Sequence, residues 1–407
     1  MNCRFCDTQL KHIFVSLGVS PLSNSYVEEK NMNKMEPFYP LESYVCEKCF
    51  LVQLGKYETP ENIFSDYAYF SSYSDTWLSH CENYVNKAID FLKLGKTSFV
   101  AEIASNDGYL LQYFLAKNIP VLGIEPARNV AKFAIDKGIA TETIFFGTQT
   151  AAGLSKKYGQ ADLIIGNNVL AHVPELNDFV SGLKLFLKPD GVITMEFPHL
   201  LNLYEQVQFD TIYHEHFSYF SFLAVSKIFE HHGLKIFDVE RLATHGGSLR
   251  IYACNLDNVK YCLTDSVNRL IDEEKEKGYS TLDLYINFGD KVKSLKRKIL
   301  NFMIDVKEQG KTIAGYGAPA KGNTLLNYCG IKTDFMDYTV DKNPHKQGKF
   351  LPGSRIPIKS PEFIKETKPD YLFILPWNIK DEIIDQTGFI KKWGGKHVTA
   401  IPELEII

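Results

Sequence analysis

Short apolar runs alternate with amphipathic stretches along most of the chain from residue 75 onward. Apolar residues recur at helical spacing over 75–93, 130–137 and 176–187. Between these stretches lie compact apolar runs typical of buried strands, at 98–103, 121–124, 162–165 and 192–196. Such alternation predicts an α/β fold with a parallel sheet and right-handed crossover helices.

A second unit of the same kind follows towards the carboxy-terminal end. A long helical pattern ends at Gly310, and a strand–glycine loop–helix pattern then returns at 312–329. The polar and charged residues 263–280 separate the two units as a solvated helix or linker. Residues 1 to about 65 have few helical patterns and a small core that would need a staple. We therefore expect three domains, comprising residues 1–70, 71–262 and 263–407.

Composition and charge exclude several classes of protein. The chain has 407 residues, with 45 Lys and Arg against 49 Asp and Glu, and its formal net charge is −4. This leaves no basic excess to bind a nucleic-acid backbone. No apolar run reaches the roughly 18 to 20 residues that cross a bilayer, and the first residues lack a signal-peptide pattern. We expect a cytoplasmic protein with no nucleic-acid or membrane partner, and a monomer unless an interface that the sequence does not declare makes it an oligomer.

Four of the eight cysteines form two closely spaced pairs. Each CxxC pair can direct two thiolates at one ion from a single tight turn, and two pairs complete the four-sulfur shell of a structural zinc site. A closed shell leaves no position open for a substrate, so this metal should serve folding. The predicted zinc ligands are Cys3, Cys6, Cys46 and Cys49.

Three predicted strands of the first α/β unit end in residues suited to a nucleotide-like ligand. Glu102 ends one strand, and small residues then lead to Gly108, so the backbone can approach a ligand closely. The next strand ends in Glu125, a position suited to binding both ribose hydroxyls. Asn167 and Asn168 follow a third strand. Ligands of open α/β sheets bind beyond such carboxyl ends.

These signatures, Glu-Ile-Ala-Ser-Asn-Asp-Gly at 102–108 and Asn-Asn-Val-Leu-Ala-His-Val at 167–173, resemble the S-adenosylmethionine site of class I methyltransferases. More narrowly, nearly the whole chain resembles the sugar C-methyltransferases typified by the C-3′-methyltransferase of tetronitrose biosynthesis. The resemblance implies a Rossmann-like methyltransferase core between a small amino-terminal zinc module and a Rossmann-like α/β carboxy-terminal domain. The S-adenosylmethionine-binding residues that it implies are Glu102, Ala104, Asn106, Asp107, Gly108, Glu125, Pro126, Asn167 and Asn168.

The most unusual local sequence places a phenol, two imidazoles and a carboxylate at 213–216. In an extended segment Tyr213 would share a face with Glu215, whereas a turn would group these side chains differently. Proton transfer is the favoured chemistry, because a neutral imidazole is a suitable base near neutral pH. The resemblance assigns the base to His216 and places four more residues in the active site: Tyr213, Glu215, His172 and Tyr67.

The second α/β unit opens with a GxG pattern at 315–317, and Asp341 ends its next strand. This pattern also fits an NAD-dependent oxidoreductase. The resemblance instead places this unit beside the substrate, where Lys321 near a helix start is suited to contact a diphosphate. The predicted substrate-binding residues are His199, His245, Lys321, Asn323 and His345.

We expect an S-adenosylmethionine-dependent C-methyltransferase that acts on a nucleotide-linked keto-deoxysugar. Methylation of carbon needs a carbanion equivalent, and a carbon beside a ketone provides one as an enolate once a base has removed its proton. Three alternatives stay open: an NAD-dependent oxidoreductase of nucleotide sugars, a methyltransferase acting on a sugar hydroxyl, and a non-catalytic scaffold stapled by zinc.

Overall fold

The computed structural model describes residues 1–59, 71–73 and 75–407, and their backbone forms three β-sheets with helices packed around them. The first sheet is antiparallel. Its strands, in spatial order, are β1 (His12–Ser20), β2 (Tyr39–Val45), β3 (Val52–Leu54) and β9 (Ser218–Tyr219). Because β9 comes from the segment that follows His216, the amino-terminal sheet is completed by the middle of the chain.

The second sheet has seven strands and carries the methyltransferase-like pattern. Its spatial order is β10 (Leu234–Leu242), β11 (Ser248–Asn255), β8 (Leu187–Pro198), β7 (Ala161–Asn167), β4 (Val100–Ile103), β5 (Val121–Ile124) and β6 (Thr141–Glu142). Strands β4 to β8 run parallel to one another, whereas β11 pairs antiparallel with both β8 and β10. All four residues of β4 are buried, as expected for a parallel strand covered by helices on both faces.

The third sheet has six strands and repeats this architecture on a smaller scale. Its spatial order is β14 (Ile358–Lys359), β13 (Thr339–Val340), β12 (Ile313–Tyr316), β15 (Tyr371–Ile374), β16 (Lys396–Thr399) and β17 (Glu405–Ile406). In the second sheet the chain changes direction between β4 and β7, and in the third it does so between β12 and β15. Such switch points are where open α/β sheets bind ligands.

The helices agree closely with the periodicity of the sequence. In chain order they are α1 (Asp75–Leu92), α2 (Leu111–Ala116), α3 (Arg128–Asp136), α4 (Thr148–Tyr158), α5 (Leu176–Phe186), α6 (Leu200–Glu205), α7 (Phe222–His231), α8 (Asp265–Glu276), α9 (Leu282–Ile286), α10 (Phe288–Glu308), α11 (Ala320–Cys329), α12 (Phe363–Thr367) and α13 (Lys380–Thr387). The charged region expected as a helix or linker is the helix α8. Six helices, α4, α6, α7, α9, α12 and α13, were not predicted, and neither were β10 and the strands of the first sheet.

The amino-terminal sheet shares its core with the third α/β unit. Phe14 of β1 stacks on Phe288 of α10 with ring centroids 4.5 Å apart. A single apolar cluster also joins Val45 of β2 to Ile313 of β12. The small core expected for the first 65 residues is therefore supplemented from the carboxy-terminal unit as well as by the cysteine cluster.

No helix among the residues that the structure describes is both long enough and apolar enough to cross a bilayer.

Candidate active site

A cavity of about 700 Å³ lies where the switch points of the second and third sheets face each other. Loops that follow β4, β5 and β7 line one side, and loops that follow β12 and β15 line the other. The amino-terminal sheet's side of the molecule contributes Asn24 and Tyr26. Twelve predicted site residues line the cavity: Ala104, Asn106, Glu125, Pro126, Asn167, Asn168, His172, Tyr213, Glu215, His216, His245 and Lys321.

The loop after β4 opens its backbone towards this cavity. Ala104, Asn106 and Gly108 all have positive φ, at 57°, 50° and 76°. A side chain on Gly108 would place its Cβ 2.4 Å from Cδ1 of Ile139, so only glycine fits there. Left-handed backbone at non-glycine residues costs free energy and concentrates at ligand sites.

Glu125 ties the loops after β4 and β5 together. One carboxylate oxygen accepts the N–H of Asn106 at 2.9 Å, and the other accepts the N–H of Ala127 at 2.8 Å. Both oxygens are therefore already hydrogen-bonded to backbone, although the carboxylate still lines the cavity. Asn167 Nδ2, at the end of β7, and Asn168 Oδ1, directly after it, are buried and have no hydrogen-bond partner among the described residues. Such donors and acceptors suit a polar nucleoside ligand, and the cavity volume is in the ordinary range for small-molecule sites.

Three residues predicted to bind the cofactor, Glu102, Asp107 and Gly108, do not line the cavity. Glu102 is fully buried at the end of β4, and burial raises the pKa of its carboxyl well above the usual value. Asp107 accepts the N–H of Ser72 at 3.2 Å, and Lys137 donates to the Asp107 carbonyl at 2.9 Å. Together with Gly108, these residues support the conformation of the loop that follows β4.

The segment with the phenol and imidazoles is a turn. The N–H of His216 donates to the carbonyl of Tyr213 at 2.9 Å, which closes the turn. The two side chains meet on its inner face, with Tyr213 Oη 2.9 Å from His216 Nε2. His214 points away and contacts the Pro40 carbonyl at 3.1 Å. The turn thus brings His216 to the cavity together with Tyr213 and Glu215 and separates it from His214, with which an extended segment would have grouped it.

Hydrogen bonds define the tautomer of His216. Its Nδ1 lies 3.0 Å from the carbonyl oxygen of Thr211, which can only accept, so Nδ1 carries the proton. Burial, and to a smaller extent the nearby His172, keeps the pKa of His216 well below 6.5, so the ring is neutral at physiological pH. Nε2 therefore holds a lone pair, to which Tyr213 donates.

His172 stands against His216 at the end of a 3₁₀ turn, Leu170–His172, that follows β7. The two rings meet edge to face with centroids 4.6 Å apart. Burial lowers the pKa of His172 to about 4, so this ring is also neutral near pH 7. Two neutral imidazoles and a phenol thus adjoin the same cavity, an arrangement suited to proton transfer.

Glu215 is oriented by a residue that sequence reasoning missed. Its Oε1 accepts from the amide of Asn24 at 2.6 Å. Asn24 is 191 positions earlier in the chain, and no local pattern marks it. Nearby, Tyr26 donates to the carbonyl of Ala318 at 2.6 Å, which links the same loop to the third sheet.

Lys321, at the start of α11, is the cationic group on the far side of the cavity. Its Nζ donates to Asn378 Oδ1 at 2.7 Å and lies 4.5 Å from the centre of the Trp377 ring. Burial lowers the pKa of Lys321 to about 8, while Asp210 acts in the opposite direction. The Trp377 indole donates to Asp210 Oδ2 at 2.8 Å, so this cluster joins the third sheet to the segment that precedes His216.

His245 enters the cavity from a strained turn. Its φ is 56°, and its ring packs edge to face on Trp77 with centroids 5.4 Å apart. The preceding Thr244 donates to the buried Glu196 at 2.7 Å, and Arg250 pairs with the same carboxylate at 2.6 Å. Trp77 also lines the cavity, and sequence reasoning missed it, as it missed Phe145 and Phe146.

Three predicted substrate residues lie outside the cavity lining. His199 is 1% exposed and its Nε2 is 2.7 Å from Glu274, which in turn accepts the N–H groups of Phe222 and Leu223 at the start of α7. Asn323 is fully buried in α11, and His345 is exposed. The predicted catalytic residue Tyr67 lies outside the described residues.

The four predicted metal ligands come together. Their sulfur atoms all lie within 4.8 Å of one another. The Cys3–Cys49 and Cys6–Cys46 sulfur pairs are each separated by 3.5 Å. Zn–S bonds of about 2.3 Å in a tetrahedron require sulfurs about 3.8 Å apart, so the cluster fits zinc. With all four positions taken by cysteine, the ion would hold the fold and leave no position for substrate.

Family models match three successive parts of the chain. Residues 3–64 match a family described as "Putative zinc binding domain", residues 78–239 match a methyltransferase domain, and residues 243–402 match the C-methyltransferase C-terminal domain. The C-methyltransferase NovU of Streptomyces niveus is 35% identical over 406 residues, which cover 100% of this chain and 96% of NovU. These matches confirm the predicted methyltransferase core and the two predicted cofactors, S-adenosylmethionine and zinc.

Solved structures match a little less than half of the chain. The PH0226 protein of Pyrococcus horikoshii OT3 matches with a TM-score of 0.36 and 14% identity, over 49% of this chain and 99% of that one. The magnesium protoporphyrin IX methyltransferase of Synechocystis PCC 6803 matches with a TM-score of 0.33 and 16% identity, over 44% and 82%.

Proposed function

This chain belongs to the same C-methyltransferase family as NovU, and from that premise we propose that it methylates a carbon atom of a nucleotide-linked keto-deoxysugar with His216 as the base. The observation that carries the proposal is the state of His216. Its imidazole is neutral, its Nδ1 is committed to the Thr211 carbonyl, and its Nε2 lone pair adjoins the cavity between two sheets.

The proposed reaction begins with proton removal from the carbon beside the sugar ketone. His216 Nε2 takes the proton, and the electrons of the broken C–H bond form the enolate, whose charge collects on the former carbonyl oxygen. Substrate must first displace the Tyr213 hydroxyl from Nε2. The displaced hydroxyl is then available to donate to the enolate oxygen, which gives Tyr213 a stabilising role.

The methyl donor is S-adenosylmethionine, which supplies an electrophilic methyl group when it is bound. Ala104, Asn106, Glu125 and the Asn167–Asn168 pair would hold it at the carboxyl ends of β4, β5 and β7. These residues fix the donor on one side of the cavity. His172 follows the Asn167–Asn168 pair on the same loop and packs against His216, so the base would lie close to the bound donor.

A nucleotide diphosphate on the sugar is supported by the opposite wall. Lys321 lines the cavity at the beginning of α11, where the cation and the helix N-terminus both favour an anion. Lys346 also lines the cavity, and its Nζ donates to the Ala318 carbonyl at 2.9 Å. Two cations near one helix start suit a diphosphate better than a neutral sugar.

The oxidoreductase alternative finds less support at the GxG loop of the second α/β unit. Asp341, the acid that would hold a nicotinamide nucleotide's ribose, accepts the N–H of Ala318 and the N–H of Asn343, each at 2.8 Å. Its Oδ2 also lies 3.5 Å from Lys346 Nζ. Glu125 is hydrogen-bonded to backbone in the same way, but Glu125 lines the cavity and Asp341 does not.

The test is incubation of the purified protein with S-adenosylmethionine and a panel of keto-sugar nucleotides, read by mass spectrometry. We expect one substrate to gain the mass of a methyl group in place of hydrogen. Titration with NAD should show no binding under conditions where S-adenosylmethionine binds. NAD binding together with no methylated product across the panel would contradict the proposal.

A further inference from the structure

The turn between the first two cysteines carries an arginine that reaches away from the thiol cluster. Arg4 Nη1 donates to the carbonyl of Pro174 at 3.0 Å, and Nη2 donates to the carbonyl of Leu54. Its backbone N–H donates to Gln53 Oε1 at 2.9 Å, and the Gln53 amide donates to Cys3 Sγ at 3.2 Å. One side chain therefore joins the cysteine cluster to two distant segments.

Both segments are connected to the histidines of the cavity. Pro174 is two residues after His172. The Arg4 guanidinium also lies 5.6 Å from the centre of the Phe217 ring, and Phe217 follows His216.

Backbone hydrogen bonds connect the same places. The N–H of Leu54 donates to the Phe217 carbonyl at 3.0 Å, and the N–H of Phe217 donates to the Ala171 carbonyl at 2.7 Å. The chain on either side of the histidine pair is thus held to one guanidinium and to the end of β3.

We propose that Arg4 is a positioning residue that sets the spacing and orientation of His172 and His216. The proposal rests on the proposed function only for its effect on turnover. A planar guanidinium can donate to two carbonyls in different directions at once, whereas a lysine ammonium on a flexible stem cannot reproduce that fork. Displacement of a catalytic group by about 1 Å can cost on the order of 100-fold in rate.

The proposal gives the zinc module a part in catalysis without metal chemistry. The module would present Arg4 to the two catalytic segments and so transmit its own rigidity to the imidazole pair. Arg4 touches neither substrate nor cofactor in this account, since it is absent from the cavity lining.

Arg4→Lys is the main test, with Arg241→Lys as the matched control because Arg241 pairs with Glu273 at an exposed site far along the chain. We expect Arg4→Lys to lower kcat about 10- to 100-fold, with zinc at one per chain and S-adenosylmethionine affinity within about twofold of the original protein. Arg241→Lys should leave all three unchanged. In Arg4→Ala, added guanidinium should restore part of the lost turnover.

A second readout does not depend on activity. In ¹⁵N-histidine NMR spectra, Arg4→Lys should shift the His172 and His216 signals and leave that of His12, at the surface, in place. Unshifted signals together with unchanged kcat would overturn the proposal. Loss of zinc or failure to fold in both Arg4 variants would also overturn it, because Arg4 would then be a folding residue. Full turnover in His216→Asn would instead refute the proposed function. The positioning role of Arg4 would then be tested by the NMR shifts alone.

Discussion

At the scale of single residues, the site depends on side chains whose ordinary properties are altered by what surrounds them. The Thr211 carbonyl selects the tautomer of His216, and burial keeps its ring neutral, so a common side chain becomes a base directed at the cavity. Two residues of the cavity lining, Asn168 and His245, also have a strained backbone, with φ of 54° and 56°. Strain of this kind persists only where the surrounding structure holds it in place.

Lys321 leads to a prediction about pH. Burial lowers its pKa to about 8, so its charge is present below that pH and is lost as pH rises through it. Because kcat/KM reports groups of the free enzyme, kcat/KM for the sugar nucleotide should fall about tenfold for each unit above pH 8. The measurement is a pH profile of initial rates from pH 6 to 10.

Lys321→Arg is the control for this profile. An arginine stays charged throughout the range, so the alkaline fall should disappear even if the rate at pH 7 is lower. A fall at the same pH in both proteins would show that another group is responsible.

At the scale of elements, patterns within a few residues predicted helices, strands and the cysteine cluster well. Pairings between segments far apart in the chain could not be predicted in this way. Helix α1 and strand β5 follow from periodicity, and the cysteine cluster follows from CxxC spacing, because each signal lies within a few residues. The pairing of the two-residue strand β9 with β3 had no such signal. The contact of Asn24 with Glu215 likewise depends on how separate units pack together.

The turn at 213–216 shows why the identity of the candidate residues did not predict their geometry. Four consecutive polar side chains fit either an extended strand or a turn, and the sequence contains no glycine or proline there to decide. The hydrogen bond between the N–H of His216 and the Tyr213 carbonyl decides for the turn.

His199 separates a folding role from a binding role. Its buried bond with Glu274 joins α8 to the end of β8, and Glu274 caps the start of α7. His199→Asn should therefore lower the free energy of unfolding by about 1 to 3 kcal/mol. KM for the sugar nucleotide should stay unchanged, because His199 does not line the cavity.

Chemical denaturation and initial-rate kinetics on the same preparation of His199→Asn measure both quantities. If the free energy of unfolding is unchanged and KM is clearly raised, the structural role is wrong and His199 is a substrate-binding residue.

At the scale of the whole molecule, the three sheets are connected by a shared strand, a shared core and the cavity at the switch points. The last strand of the first sheet comes from the middle of the chain, and the first sheet shares its apolar core with the third unit. Val27 and Phe350 also form a β-bridge between the first and last units. The three sheets follow one another along the chain, while the strand β9 and the shared core connect the first sheet to the other two units.

Zinc removal should therefore affect turnover more than donor binding. The loops that would hold S-adenosylmethionine belong to the second sheet, whereas the end of β3 beside the cysteine cluster holds the segment after His216. After chelation, methyl transfer should fall at least tenfold and S-adenosylmethionine affinity about threefold or less, with recovery when zinc is restored.

Calorimetric titration of the donor and initial rates before and after chelation make this comparison. Cys262→Ser, at an exposed cysteine outside the cluster, should keep both zinc and activity. Full turnover in zinc-free protein would contradict the coupling.

The central claim is methyl transfer to carbon with His216 as the base. The most direct measurement uses S-adenosylmethionine with a ¹³C-labelled methyl group and the sugar nucleotide that the panel identifies, followed by carbon–proton correlation NMR of the product. The account predicts a labelled methyl bonded to a ring carbon, formed at least 100-fold more slowly by His216→Asn although that variant binds the donor normally. A labelled methyl bonded to oxygen, or an undiminished rate in His216→Asn, would contradict it.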